Sequence, residues 1–324
     1  MAICHFHRSY VSRTSGRSSV AAAAYIAAEK FEDIRQGVTH NYRNKGGVVF
    51  HQVFAPEGTP AALLSHEALW NKAELFEDEI ATQRFAGHLS HTEKNRKSLE
   101  RRNHVINNAR TAFSDNIALP KELDLEQNIA LVKEYVQAHY VSHGLAASVA
   151  IHWDEGNPHV HIQTTTRTVV RGEFSQTKFR ALNDWTFLKE QRQSLAEITN
   201  QHLEEAGLEM RIDHRSYKDQ GLDLQASRHQ GWRSKQLESG NKYTRIGREN
   251  ADIAQENIQI VLADPTQIIR KLAQERAVFT RADIMAELVK LGGGDIALSQ
   301  ILQERVNSFN IPQTMKGEER PWKL

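Results

Sequence analysis

Three histidines constrain this chain more than any other feature. Residues 151–167 read IHWDEGNPHVHIQTTTR. His159 and His161 stand two apart in a stretch that reads as a strand. Side chains alternate along a strand, so both point to one face of a sheet. His152 lies on the extended stretch before them, and Gly156, Asn157 and Pro158 supply a turn that folds the second stretch back on the first. Two neighbouring antiparallel strands bringing three imidazoles together predict an α+β fold. Its core is a central antiparallel sheet flanked by helices, not a doubly wound parallel sheet. Three histidines with further positions open make a catalytic type of metal site, not a closed structural one.

The rest of the chain supplies that fold. Residues 2–10 (AICHFHRSY) read as an opening strand with Ile3, His5 and His7 on one face. A polar turn containing Gly16 follows, and Ser18 or Ser19 is the expected N-cap of a helix over VAAAAYIAAEKF. A polar hairpin-like stretch holds His40, Asn41, Tyr42 and Gly46–Gly47. VVFHQVFAP reads as a strand, and a helix runs to about Phe85. Residues 86–116 are long and polar and read as an extended or inserted helical segment. A helix spans Leu125 to Val141, with Gly144 just past its end. The histidine strands come next, then a long amphipathic helix stopped at Gly207. Beyond Gly221 the text changes. Residues 223–264 are polar and helical and read as a linker. Residues 265–324 hold short helices around Ile268, Leu272, Phe279, Ile284 and Leu288.

Composition narrows the setting. The 324 residues carry 41 basic and 40 acidic side chains and one cysteine, Cys4, so no internal disulfide can form, as suits a reducing cytoplasm. No apolar run approaches the ~20 residues that span a bilayer, and the N-terminus lacks the apolar core of a signal peptide. Net charge is +1, which does not advertise nucleic acid. Local charge says more: Lys94, Arg96, Lys97, Arg101, Arg102 and Arg110 face only Glu100 within residues 94–110. Such a segment suits either phosphate tracking or a solvated helix face.

A metal at the histidines needs a nucleophile or an activated water. There is no HExxH, no GxxxxGKS/T and no serine nucleophile elbow. Tyr25, within AAAAYIAA, is a candidate, because its methyl-sized neighbours let a helix approach a sheet closely and leave the phenol accessible. The same surroundings also suit a tyrosine that only packs.

The histidine arrangement resembles the HUH signature of rolling-circle and conjugative nucleases. The wider text resembles the MobA/MobL relaxases, and especially the relaxase part of TraA-type conjugation proteins. The segments that carry the likeness are MAICHFHRSYVSRTSGRSSVAAAAYIAAEKF, VVFHQVFAPEG, ALW, ALPKEL, VAIHWDEGNPHVHIQTTTR and RIDHRSYKDQGLDL, in the family's order over residues 1 to about 224. The resemblance implies a DNA-nicking module over 1–222, followed by the linker and a small helical segment. In that segment ERAVFTRADIMAEL resembles the opening of a helicase-like region. It implies Tyr25 as nucleophile and His152, His159 and His161 as ligands of a divalent metal, Mg or Mn. Asp154, His5 and Glu74 are the candidate bases or supporting groups. The implied substrate is origin-of-transfer DNA, single-stranded at the nick. The implied partners are a type IV secretion coupling protein and relaxosome accessory proteins, with no membrane insertion.

Arg8, Arg13, Arg17 and Arg167 are candidate phosphate contacts, with Arg101 and Arg102 in the basic stretch. Trp153, Trp185 and Trp232 are candidate base-stacking groups. The chain departs from its relatives where an Arg-Glu pair is usual: it reads ARTAFSDNIALP, with Asp115 as the available acid. The stretch 86–110 also looks inserted. Three other functions fit parts of this text: a replication initiator with the same chemistry, a non-catalytic DNA-binding repressor, and a three-histidine metallohydrolase. Initiators usually carry the tyrosine after the histidines, and a hydrolase would leave the N-terminal likeness unexplained.

Overall fold

The computed structural model describes residues 4–85, 93–154, 157–228, 230–240, 243–276, 278–291, 304 and 314–316. Contacts divide the chain into two compact units, residues 1–202 and 203–324.

In the first unit, β1 (Phe6–Ser12) leads into α1 (Ser19–Ala27) and the hairpin β2 (Lys30–Asp33) and β3 (Val38–Asn41). Next come β4 (Val48–Phe54), α2 (His66–Phe85), α3 (Glu93–Asn107), β5 (Arg110–Ala118) and α4 (Leu125–His139). The unit continues with β6 (Ala147–Asp154), β7 (Asn157–Thr165), and the hairpin β8 (Arg167–Val170) and β9 (Glu173–Lys178). α5 (Trp185–Glu205) follows. Five strands form one sheet in the order β1-β5-β7-β6-β4, with every neighbouring pair antiparallel. The expected sheet flanked by helices is therefore present.

Register sorts the side chains into two faces. Arg8, Asp115, Ile162 and Val149 are successive cross-strand partners and share one face. Tyr140, just past α4, packs against it, its hydroxyl donating to Asp115 (2.6 Å). His7, Asn116, His161 and Ala150 are partners on the opposite face. There α1 and α2 pack, through Ala23, Ala24, Ala27, Leu69 and Trp70. Alanines at the contact let α1 lie close to the sheet, as its composition suggested.

Helix α1 is shorter than expected. Ser18 caps it by accepting from the amides of Val20 (3.1 Å) and Ala21 (3.3 Å). It ends at Ala27, because Ala28 takes the left-handed conformation (φ 53°) and the chain turns into β2. The expected continuation through Phe31 is thus a strand, with Phe31 in the core below. Helix α4 begins with a capping box in which Asp124 and Gln127 satisfy each other's backbone amides. In the polar stretch, α3 and then β5 occupy residues 93–118, and residues 86–92 lie outside the described residues.

The second unit contains α6 (Trp232–Ser239), α7 (Arg245–Ala263), α8 (Thr266–Glu275), β10 (Val278–Thr280), α9 (Arg281–Leu291) and β11 (Thr314–Lys316). Ile268, Leu272, Phe279, Ile284 and Leu288 are buried together, as expected. Leu224, Ile258 and Val261 join the same cluster. The stretch read as a linker therefore contributes an amphipathic helix to this core. Its apolar residues are sparse but fall on one face of α7.

Ser18 also donates to the buried Asp33 carboxylate (2.5 Å). Ser18→Ala removes a cap and leaves that carboxylate short of a donor, at about 1–2 kcal/mol. Thermal unfolding is expected to shift down by about 2–4 °C per kcal/mol. An unchanged midpoint would contradict this account of how α1 is anchored.

Candidate metal and nucleophile site

The three histidines converge as their spacing requires. His152 on β6 lies directly opposite His159 on β7, and His161 stands two residues along on the same face. Ring centroids are 4.5–5.2 Å apart. One nitrogen from each ring lies within 4.8 Å of the others, and no other such group of three metal-binding side chains occurs among the described residues.

Backbone carbonyls fix which nitrogens are available. A carbonyl can only accept, so Nε2 of His152 donates to Ile26 O (2.7 Å) and Nδ1 keeps its lone pair. Nδ1 of His159 donates to Asn157 O (3.0 Å), leaving Nε2 free to act as a donor atom to a metal. Burial drives the pKa of His152 to about 4 and that of His161 to about 3, with neighbouring positive groups adding to the effect. At neutral pH these two rings are uncharged, the form in which imidazole binds a metal. The donor set fits a divalent ion.

Tyr25 meets this cluster across a single side chain. Helix α1 presents it on its exposed side, 46% accessible. Tyr42 meets its ring edge-on at 5.4 Å, and Lys45 Nζ lies 3.9 Å from the ring centroid. The same ammonium donates to the Tyr25 carbonyl (3.2 Å) and lies 3.3 Å from His152 Nδ1. Burial lowers the Lys45 pKa, against an opposing pull from Asp154. The Lys45 loop is seated on β6, where the Trp153 amide donates to Gly47 O (2.7 Å). Gly47 has φ +85°, a left-handed conformation that favours glycine, and the Asp154 carboxylate lies where its Cβ would be. Nothing in the sequence pattern singled out Lys45 or Tyr42. The Gly46–Gly47 pair marked the turn, not its contents.

The other candidates are placed differently. Asp154 is exposed at the end of β6, beside Gly47. Glu155 and Gly156 of the turn lie outside the described residues. His5 extends the β1–β5 ladder through its carbonyl, which accepts from Ala118 N. Glu74 is not brought to the histidines. Its carboxylate accepts from Ser19 N (2.9 Å) and Ser19 Oγ (2.5 Å) and pairs with Arg13. It thus anchors the end of α1 remote from Tyr25, about 9 Å away by helical rise.

Three of the arginines are committed to buried or half-buried acids. Arg8 is buried in a bidentate pair with Asp115 (2.8 and 2.6 Å), on the sheet face opposite the histidines. Burial opposes its charge, but Asp115 outweighs that and holds its pKa above the ordinary arginine value. Removing either partner strands a buried charge, at a cost of about 3–5 kcal/mol. Arg13 binds Glu74, Asp78 and the Ile106 carbonyl. Arg167 forms a buried pair with Glu77. None of these three guanidinium groups faces solvent as a phosphate contact would. Arg17 is exposed ahead of α1. On α3, Arg101 is exposed and Arg102 half-buried. Trp153 is half-buried and Trp185 is 69% accessible. The Trp232 side chain lies outside the described residues. No helix of the described residues is long and apolar enough to cross a membrane.

A model of the MobA/MobL family matches residues 17–89 and 97–240. The chain is 30% identical over 342 residues to the conjugal transfer protein TraA of Agrobacterium fabrum, an alignment that covers 94% of this chain and 28% of that protein. It is 28% identical over 302 residues to the probable mobilization protein MobA of Bifidobacterium longum, covering 79% of this chain and 48% of that one. Among solved structures, one described as the molecular basis of vancomycin resistance transfer in Staphylococcus aureus superposes with a TM-score of 0.54 at 25% identity. It covers 66% of this chain and 98% of that one. The chain belongs to the MobA/MobL family. It spans less than a third of the length of the TraA protein.

The buried histidines carry a consequence for stability. His66 and His139 also have pKa values lowered by burial, to about 4. With His152 and His161, they stay neutral in the folded chain well below 6.5, where the unfolded chain takes up protons. Stability is therefore complete above about pH 6.5 and falls as pH drops toward 4. Each such group contributes at most about 3 kcal/mol to that loss. Urea midpoints measured without metal should hold between pH 7.5 and 6.5 and decline from there to pH 5, and a profile flat throughout would show the rings to be solvated.

Proposed function

We propose that the first unit nicks one strand of DNA at an origin of transfer and stays attached to the cut end through Tyr25. One observation carries this reading: an exposed tyrosine stands one side chain from three converging histidines, in a chain of the MobA/MobL family.

The chemistry is a transesterification. The Tyr25 oxygen attacks phosphorus, the bond to the 3′ oxygen breaks, and a 5′-phosphotyrosine and a free 3′ hydroxyl result. The phenolic proton passes to a base, and the leaving oxygen gains one. The count of phosphate ester bonds is unchanged, so the reverse step rejoins a strand without an energy source. His152, His159 and His161 would hold a divalent ion, Mg or Mn, which when bound polarises the scissile phosphate. Asp154, two residues from His152, and His5, beside the ladder, are the groups we assign to proton transfer or to steering the triad. Attack by Tyr25 needs an unpaired strand at the cut. Of the candidate arginines, Arg17 and Arg101 are exposed and available to phosphates. In the cell the reading places the protein in the cytoplasm, with a type IV secretion coupling protein and relaxosome accessory proteins as partners.

The test uses labelled single-stranded oligonucleotides spanning the origin of transfer, with Mn or Mg, on a denaturing gel. Wild type should yield a nick and a slower protein–DNA adduct. Tyr25→Phe should lose both by at least about a thousandfold, as expected for a missing nucleophile. Cleavage that survives in Tyr25→Phe would move the attack to another group. Tight binding with no cleavage of any strand would favour a repressor.

A further inference from the structure

Lys45 is a cation at the site that the mechanism above leaves unused. Its ammonium lies over the Tyr25 ring, donates to the Tyr25 carbonyl and reaches the Nδ1 lone pair of His152. That lone pair is the one His152 has left for a metal, because its other nitrogen is committed to Ile26 O. An ammonium and a metal ion cannot share one lone pair, and two cations held a few ångströms apart repel strongly in a half-buried site. The Lys45 loop itself is fixed: the Lys45 amide bonds Tyr42 O (2.9 Å), and Gly47 is pinned to β6 through Trp153. A displaced ammonium therefore moves by its side chain alone, within reach of the phenol.

We propose that Lys45 contests His152 with the metal and, once displaced by it, is the cation that contacts the phosphodiester facing Tyr25. The second half rests on the nicking reading; the first does not. The ligand class is a phosphodiester anion, for which a mobile ammonium is a suitable point charge.

Lys45→Met and Lys45→Arg separate the two halves. Isothermal titration with Mn alone tests the contest. Removing the ammonium in Lys45→Met should tighten Mn binding by about tenfold, since a competing cation next to a ligand is lost. Unchanged or weaker Mn binding in a variant that melts like wild type would overturn that half. Single-turnover adduct formation at saturating Mn tests the phosphate contact. Lys45→Met should slow it by about 10–100-fold, with Lys45→Arg recovering most of the rate. The salt slope of oligonucleotide binding in Lys45→Met should shrink by about 0.7, the value for one phosphate contact on a single strand. A wild-type nicking rate and slope in Lys45→Met would overturn this half while leaving the nicking reading intact. No adduct from wild-type protein would instead overturn the nicking reading, and the phosphate contact with it, while the Mn titration would still decide the contest.

Discussion

The hydrogen bond from His152 to the carbonyl of Ile26 joins two parts of the molecule that are 126 residues apart. On one side is the sheet that gathers the imidazoles; on the other is the last turn of the helix that carries Tyr25. Helix ends leave carbonyls without intrahelical partners, and here one of them is satisfied by a side chain of the metal-binding group. The bond sets the tautomer of His152, aims its free nitrogen, and holds the residue next to Tyr25 against the sheet. Cap, helix length and the left-handed Ala28 all act through it, because each decides where the last turn of α1 falls.

The two faces of the sheet divide the remaining work. One buries Arg8 with Asp115 and Tyr140, a compact charged network sealed under helices. Burial and the Asp115 charge both keep the Tyr140 phenol protonated, so it remains a donor within that network. The other face keeps neutral imidazoles near solvent beside a helix of small residues. Arg8, Asp115 and Tyr140 pair with one another on the closed side, while the open side holds polar groups that are not all paired with one another.

Local pattern made much of this legible. Period-two spacing and a turn were enough to predict the histidine cluster, and an alanine-rich run was enough to place the helix bearing Tyr25. Pairing across long stretches of chain was not legible. Arg8 finds Asp115 107 residues away, and Arg167 finds Glu77 90 residues away. An arginine near a site in the sequence looks like a phosphate contact until its acid is known. Lys45 escaped notice because its position depends on a loop with no periodicity, turned by the positive φ of Gly47. That α7 joins a core, and is not a linker helix, escaped because its few apolar residues sit among charges, and only the packed core shows which face they share.

The cross-strand pairing of His152 with His159 bears on how this chain can vary in length. A single residue inserted in β7 ahead of His159 would turn both histidines to the opposite face, toward the layer that holds Arg8 and Asp115. Two inserted residues would restore the face but slide the pair past His152 by one full repeat. Length changes are far easier to absorb outside the paired strands, in the exposed stretch around α3 before β5. The paired residues of β6 and β7 between His152 and His161 are thus fixed in number by their register.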